Sequence, residues 1–191
     1  MKKLLFSALV IISTAGFSQG FQLGVKGGVN VSNYTGGDIE NSALVGFHGG
    51  ATLGFLIGDH FAIQPEVLFS SQGAKRDYIG EKENFNVSYI NVPVLAKFRF
   101  TGGFYLEAGP QVGFKINENV PDKTVENFAK DLDLSLAAGL GYHSPIGLGI
   151  GARYNAGLSK VGDFDPNTAD PDFKNSTLQF FVFYTLFNNK K

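Results

Sequence analysis

The chain has no cysteine, no tryptophan, one methionine and only three histidines. Without cysteine there is no disulfide framework, no lipid-modified cysteine anchor and no thiolate metal site, so the fold must rest on packing and hydrogen bonds. The histidines, His48, His60 and His143, share no metal-ligand spacing. Net charge is nearly absent as well: 16 Lys and Arg stand against 17 Asp and Glu, which argues against a nucleic-acid partner. After the first segment, no apolar run reaches the roughly 18 residues that a membrane-crossing helix needs. A chain of this kind enters a membrane only as strands, and those strands must close, because an open sheet edge in lipid leaves backbone groups unpaired.

Residues 1–18 read as a secretory signal: Met1-Lys2-Lys3 is basic, Leu4 to Ile12 is apolar, and small residues follow, with cleavage expected after Ser18. The apolar run is too short to span about 30 Å as a helix. Residues 19–191 are then a single domain, rich in glycine (25 residues over the chain) and phenylalanine (19).

Its dominant pattern is period two. In the segment Tyr89 to Phe100, Ile90, Val92, Val94, Ala96, Phe98 and Phe100 alternate with Tyr89, Asn91, Pro93, Leu95, Lys97 and Arg99. After Thr101-Gly102-Gly103 the alternation restarts at Phe104 and runs to Ile116, so the pair forms a β-hairpin. Each strand is about a dozen residues, close to the 9–11 of a tilted membrane strand. The same alternation covers Phe21–Ser32, Ala43–Ile57, Phe61–Ser70, Leu132–Tyr142, Ile146–Asn155 and Leu178–Leu186, although Phe181 and Phe183 spoil the polar face of the last. Eight strands, an even number, close up-and-down.

Connections alternate in length. Those after odd strands are long (Asn33–Ser42, Ser71–Asn84, Asn117–Lys130, Lys160–Ser176) and those after even strands are tight (Gly58–His60, Thr101–Gly103, Ser144-Pro145). The expected fold is therefore all-β: an eight-stranded antiparallel transmembrane barrel with short periplasmic turns, four long extracellular loops and both termini in the periplasm. Phe55, Phe61, Phe98, Phe100, Phe104 and Tyr142 lie on the apolar face near the short turns and read as a periplasmic aromatic girdle. The rival is a secreted lipocalin-like barrel with an apolar lumen. Glycines gather on the polar face, where they would weaken a wet exterior but leave room inside a narrow bore. That favours a polar, filled lumen.

On that face lie Lys26, Glu66, Lys97, Arg99, Glu107, Lys115, Asp133 and Arg153. The simplest reading is mutual neutralisation, since buried charges need partners. The sharper one is a narrow gated pore for small solutes, in which Glu107→Ala or Arg153→Ala raises conductance. Catalytic residues are not indicated; a set drawn from Ser70, His48 and Glu66 is no more than chance supplies, and a lipid-modifying enzyme is a minor alternative. Asp163, Asp165, Asn167, Asp170 and Asp172 form an acidic loop that opens like an EF-hand, but Thr168 replaces the turn glycine and Lys174 the closing glutamate. It reads as solvated, with a weak Ca²⁺ contact bridging to lipopolysaccharide as the alternative. The Ser71–Asn84 loop mixes signs and also reads as solvated.

Taken in order, FQLGVKGGVNVSN, YINVPVLAKFRF, FYLEAGPQVGF, LDLSLAAGLGYHSPIGLGIGARYNAGLS and the aromatic-rich last strand resemble the PorT-type outer-membrane β-barrel family of Bacteroidetes, often labelled porin family. The resemblance implies an integral barrel of the cell outer membrane, without a cofactor. Its partners would be outer-membrane lipid and lipopolysaccharide, and the assembly machinery reading Phe187 or Tyr184 in place of a terminal aromatic. It also implies, weakly, a place in protein-secretion or gliding machinery. The function expected from all of this is non-enzymatic: structural, or binding an envelope or extracellular protein through the long loops.

Overall fold

The computed structural model describes residues 20–36, 41–78, 81–119, 130–159 and 174–189. The signal segment and the acidic loop Asp163–Asp172 lie outside them. Eight strands, β1 (Phe21–Thr35), β2 (Asn41–Ile57), β3 (Phe61–Tyr78), β4 (Glu81–Arg99), β5 (Phe104–Asn119), β6 (Leu132–His143), β7 (Leu148–Gly157) and β8 (Lys174–Asn189), pair in sequence order. All neighbours are antiparallel, and β8 returns to β1 to close the barrel.

Alternation along each strand sets the two faces. Lys26, Asn30, Glu66, Lys97, Glu107 and Arg153 are buried, while Val29, Phe47, Val67, Leu106, Leu140 and Val182 are exposed. An apolar belt of this extent facing water would be far larger than the patches soluble proteins tolerate. Facing acyl chains it carries no such penalty, and the lumen is the polar side. An apolar-lumen lipocalin arrangement is thereby excluded.

The six aromatic residues expected to form a girdle sit near the strand ends that bear the tight turns. Phe61 pairs with Phe98 and Phe104 with Tyr142 across adjacent strands. Phe98 and Phe100 meet edge to face at 5.1 Å, and Phe104 meets Tyr142 likewise at 5.3 Å. Phe55 is opposite Phe21, which stacks on Phe187 at 5.1 Å at the same end of the barrel.

Three connections differ from expectation, so the barrel does not carry four long loops: the expected Asn33–Ser42 loop contracts to residues 36–40, because β1 runs on to Thr35 in register with β8 and β2 begins at Asn41. The Ser71–Asn84 stretch is not an irregular loop, because β3 and β4 stay in register from Ser71↔Ser88 to Tyr78↔Glu81, leaving only residues 79–80 between them. Its mixed charges place Arg76 opposite Glu83 and Asp77 opposite Lys82 in that register, a pattern of residue types that suits cross-strand pairing. The β6–β7 turn runs to Gly147, not Pro145: Gly147 has φ +87° and donates its N–H to Ser144 O at 3.0 Å. Ile146 is therefore a turn residue.

Candidate functional site: the barrel lumen

Arg153 on β7 organises the middle of the bore. Its Nη1 and Nη2 donate to Glu66 of β3 at 2.9 and 3.1 Å, and its Nε donates to Glu107 of β5 at 2.8 Å. Five donors in a planar fork allow one guanidinium to hold two carboxylates on different strands. Lys26 of β1 reaches Glu66 at 2.6 Å, and Lys97 of β4 stands 3.6 Å from Glu107. Gln64 closes the ring by accepting from Lys97 at 3.0 Å and donating to Glu66 at 2.6 Å. The outcome is a belt that crosses the bore from five strands, with the side chains of Arg153, Glu66 and Glu107 fully excluded from solvent.

Five of the eight charges named from the sequence meet in this belt: Lys26, Glu66, Lys97, Glu107 and Arg153. The other three do not. Lys115 sits toward the extracellular rim, pairing with Glu118 at 3.3 Å and Asp131 at 3.4 Å. Asp133 is buried and accepts from the Ser159 hydroxyl at 3.3 Å. Arg99 lies at the periplasmic mouth. Sequence places all eight on one face but is silent on their height along the bore, which is set by strand stagger.

Beneath the belt, on the short-turn side, Tyr105 and Phe183 are buried with Phe181 in the lumen. Phe181 and Phe183 are the two apolar residues that interrupt the polar face of β8. Lys26 stands 4.0 Å over the Phe181 ring, and Lys97 stands 4.0 Å over Tyr105 and 5.1 Å over Phe183. Cation–π attraction of this kind strengthens when water is excluded. Gly141, Gly149 and Gly151 face the same three rings: an added Cβ at Gly151 would meet the Phe181 ring at 2.6 Å and Tyr105 Oη at 2.8 Å. These glycines make room inside the bore for aromatic rings.

Above the belt, Asn30 is the hub of a neutral layer that the sequence reading did not single out. Its amide donates to Ser70 Oγ at 3.0 Å and Ser71 O at 2.8 Å, and its Oδ1 accepts from Gln179 at 3.1 Å and His48 Nδ1 at 2.7 Å. Gln72 extends this to Thr177 at 3.2 Å. His48 is opposite Ser70 in the ladder, but Asn30 takes both side chains, and Glu66 is committed to the belt. The Ser70–His48–Glu66 set is not assembled as a relay.

These layers and their outward apolar wall are the features of an outer-membrane barrel. A model of the family described as "Outer membrane protein beta-barrel domain" matches residues 17–163. The chain belongs to that family. The match ends before β8, which the structure shows completing the barrel. Among solved structures, Neisserial surface protein A (NspA) aligns with a TM-score of 0.58 at 15% identity, covering 86% of this chain and 97% of that one. The outer membrane protein Ail of Yersinia pestis, in a phospholipid nanodisc, aligns at 0.50 and 13% identity over 86% and 99%. At such identities the likeness is one of fold. No curated protein sequence matches. Family and fold together place the chain in the outer membrane.

Proposed function

We propose that this barrel is a non-conducting scaffold whose work is done by its extracellular segments, as a structural element of the outer membrane or as a binder of an envelope or extracellular protein. The observation that supports this reading is the belt. Three cations and two carboxylates pair across a bore that eight strands already make narrow. Solute passage would require breaking them in an environment where unpaired charge is costly. Neither the belt nor the Asn30 layer offers a nucleophile with an oriented base, so the reading is also non-enzymatic. What remains for function is the surface beyond the membrane, including the β3–β4 ladder that continues to Tyr78 and Glu81.

A PorT-like place in secretion or gliding machinery is the second reading, carried by the resemblance of the strand sequences. The absence of cysteine supplies the test, because one introduced cysteine is a unique handle. Asp165→Cys should react with an impermeant maleimide on intact cells and, armed with a cross-linker, capture a partner; Asp59→Cys, in a tight turn, should stay unlabelled until the outer membrane is opened. Cross-links from Asp59→Cys alone would contradict the extracellular reading and favour a periplasmic assembly.

A further inference from the structure

Arg99 is the one lumen-face charge that nothing so far explains. It ends β4, half-buried at the mouth of the barrel on the tight-turn side. Among the described residues no carboxylate pairs with it, and its side chain has no hydrogen-bond partner there. A half-buried guanidinium with no counter-charge presents its donors to the mouth, where an anion would bind it by charge-assisted hydrogen bonds.

The surroundings are consistent in sign. Arg99 lines two adjoining cavities, a narrow one reaching inward past Gln64 and Lys97, and a wider one of about 450 Å³ opening at the rim. His143 and Thr185 line both, with His143 Nε2 and Thr185 Oγ1 3.1 Å apart. Among the described residues no Asp or Glu lines either cavity. Deeper in, the belt carries one more positive than negative charge. The shape comes from glycine: Gly103 has φ +94°, and an added Cβ would meet His143 O at 2.6 Å, so the turn seats tightly against β6 and leaves the space beside it open.

The wider cavity has a second character. Its wall includes two exposed apolar side chains, Ile146 of the β6–β7 turn, 75% exposed, and Leu186 near the end of β8, 59% exposed. A cationic, donor-lined inner wall facing an apolar wall at the membrane boundary is the chemistry that recognises a phosphate joined to something greasy. From this geometry we infer a phosphate-binding site at the periplasmic mouth, in which Arg99 grips the phosphate with His143 and Thr185 beside it, the phosphate belonging either to a phospholipid headgroup of the inner leaflet or to a free anion.

The test uses the full mature barrel refolded in maltoside micelles, which carry no phosphate, with ¹⁵N spectra of the Arg99 side chain and the Gly102, Gly103 and Gly147 amides. Inorganic phosphate and a short-chain phosphatidylglycerol are titrated separately, with a short-chain uncharged diacylglycerol as the control. Saturable shifts with phosphate, lost at least tenfold in Arg99→Gln, support the site. Tighter binding of the phospholipid than of phosphate assigns the headgroup as the source, and equal or weaker binding assigns the free anion. No saturation with either phosphate compound overturns the proposal, as does unchanged binding in Arg99→Gln or equal binding of the uncharged lipid. Heat-modifiable migration verifies that Arg99→Gln folds. His143→Gln, which keeps the guanidinium, should weaken phosphate binding only a few-fold.

Discussion

Arg153→Ala should destabilise the barrel by about 3–5 kcal/mol, the cost of breaking a buried ion pair and stranding its partners. Two carboxylates lose their shared cation at once, and Glu66 and Glu107 are left with Lys26 and Lys97 as their only positive neighbours in the belt. Arg153→Lys should fall between wild type and alanine. A lysine restores charge, but a single ammonium lacks the fork that donates to Glu66 and Glu107 together. Urea unfolding in vesicles, followed by the heat-modifiable band, measures both. A loss under about 1 kcal/mol, the level of a solvent-exposed pair, would mean that Arg153 is not the organising residue. The same substitution at Lys115, nearer the extracellular rim, should cost less, because one of its two carboxylate partners, Asp131, is almost entirely exposed and the other, Glu118, is partly so.

Gly50→Val and Gly109→Val should each prevent the barrel from closing. An added Cβ at Gly50 would meet the backbone of β3 at Val67 O and Leu68 Cα, and one at Gly109 would meet the backbone of β4 at Val94 O and Leu95 Cα. Neither neighbour is a flexible side chain. Relief requires the strands to separate, which for Gly50 breaks the pairing Gly50↔Leu68 and its flanks. The expected cost exceeds the roughly 1–3 kcal/mol of ordinary overpacking. Gly27→Ala is the matched control: it lies on the outer face, where an added Cβ meets only His48 O at 3.8 Å. The variant should fold like wild type. The measurement is the fraction of refolded protein that migrates as the compact band. Efficient folding of both valine variants would show that strand approach at these glycines is adaptable.

Much of the fold is legible in the sequence because period two repeats with the same polarity in every strand, and turn residues punctuate it at the tight end. Register and height are not. Glu66 and Arg153 are 87 positions apart and meet across the bore, not along a ladder, so no local pattern joins them. Lys115 and Asp133 share their face but sit higher, and Arg99 sits lower. In β8 the run Phe180-Phe181-Val182-Phe183-Tyr184 is apolar on both faces, and only the closed barrel brings the inward Phe181 and Phe183 rings under the belt's cations. Asn30 is one polar residue among many on the inner face until β2, β3 and β8 bring His48, Ser70 and Gln179 to it. The Ser71–Asn84 stretch misleads because charge of both signs, usually a mark of solvated loop, also fits a paired hairpin projecting from the membrane.

The central claim is that the lumen is sealed in its middle by the ion-pair belt and the aromatic rings beneath it. Single-channel recording of the purified barrel in planar bilayers tests it most directly. Wild type should give no discrete conductance steps, and Glu107→Ala should raise the current by removing one side of the belt. Stable open-channel steps in the wild-type protein, unchanged in Glu107→Ala, would contradict the claim.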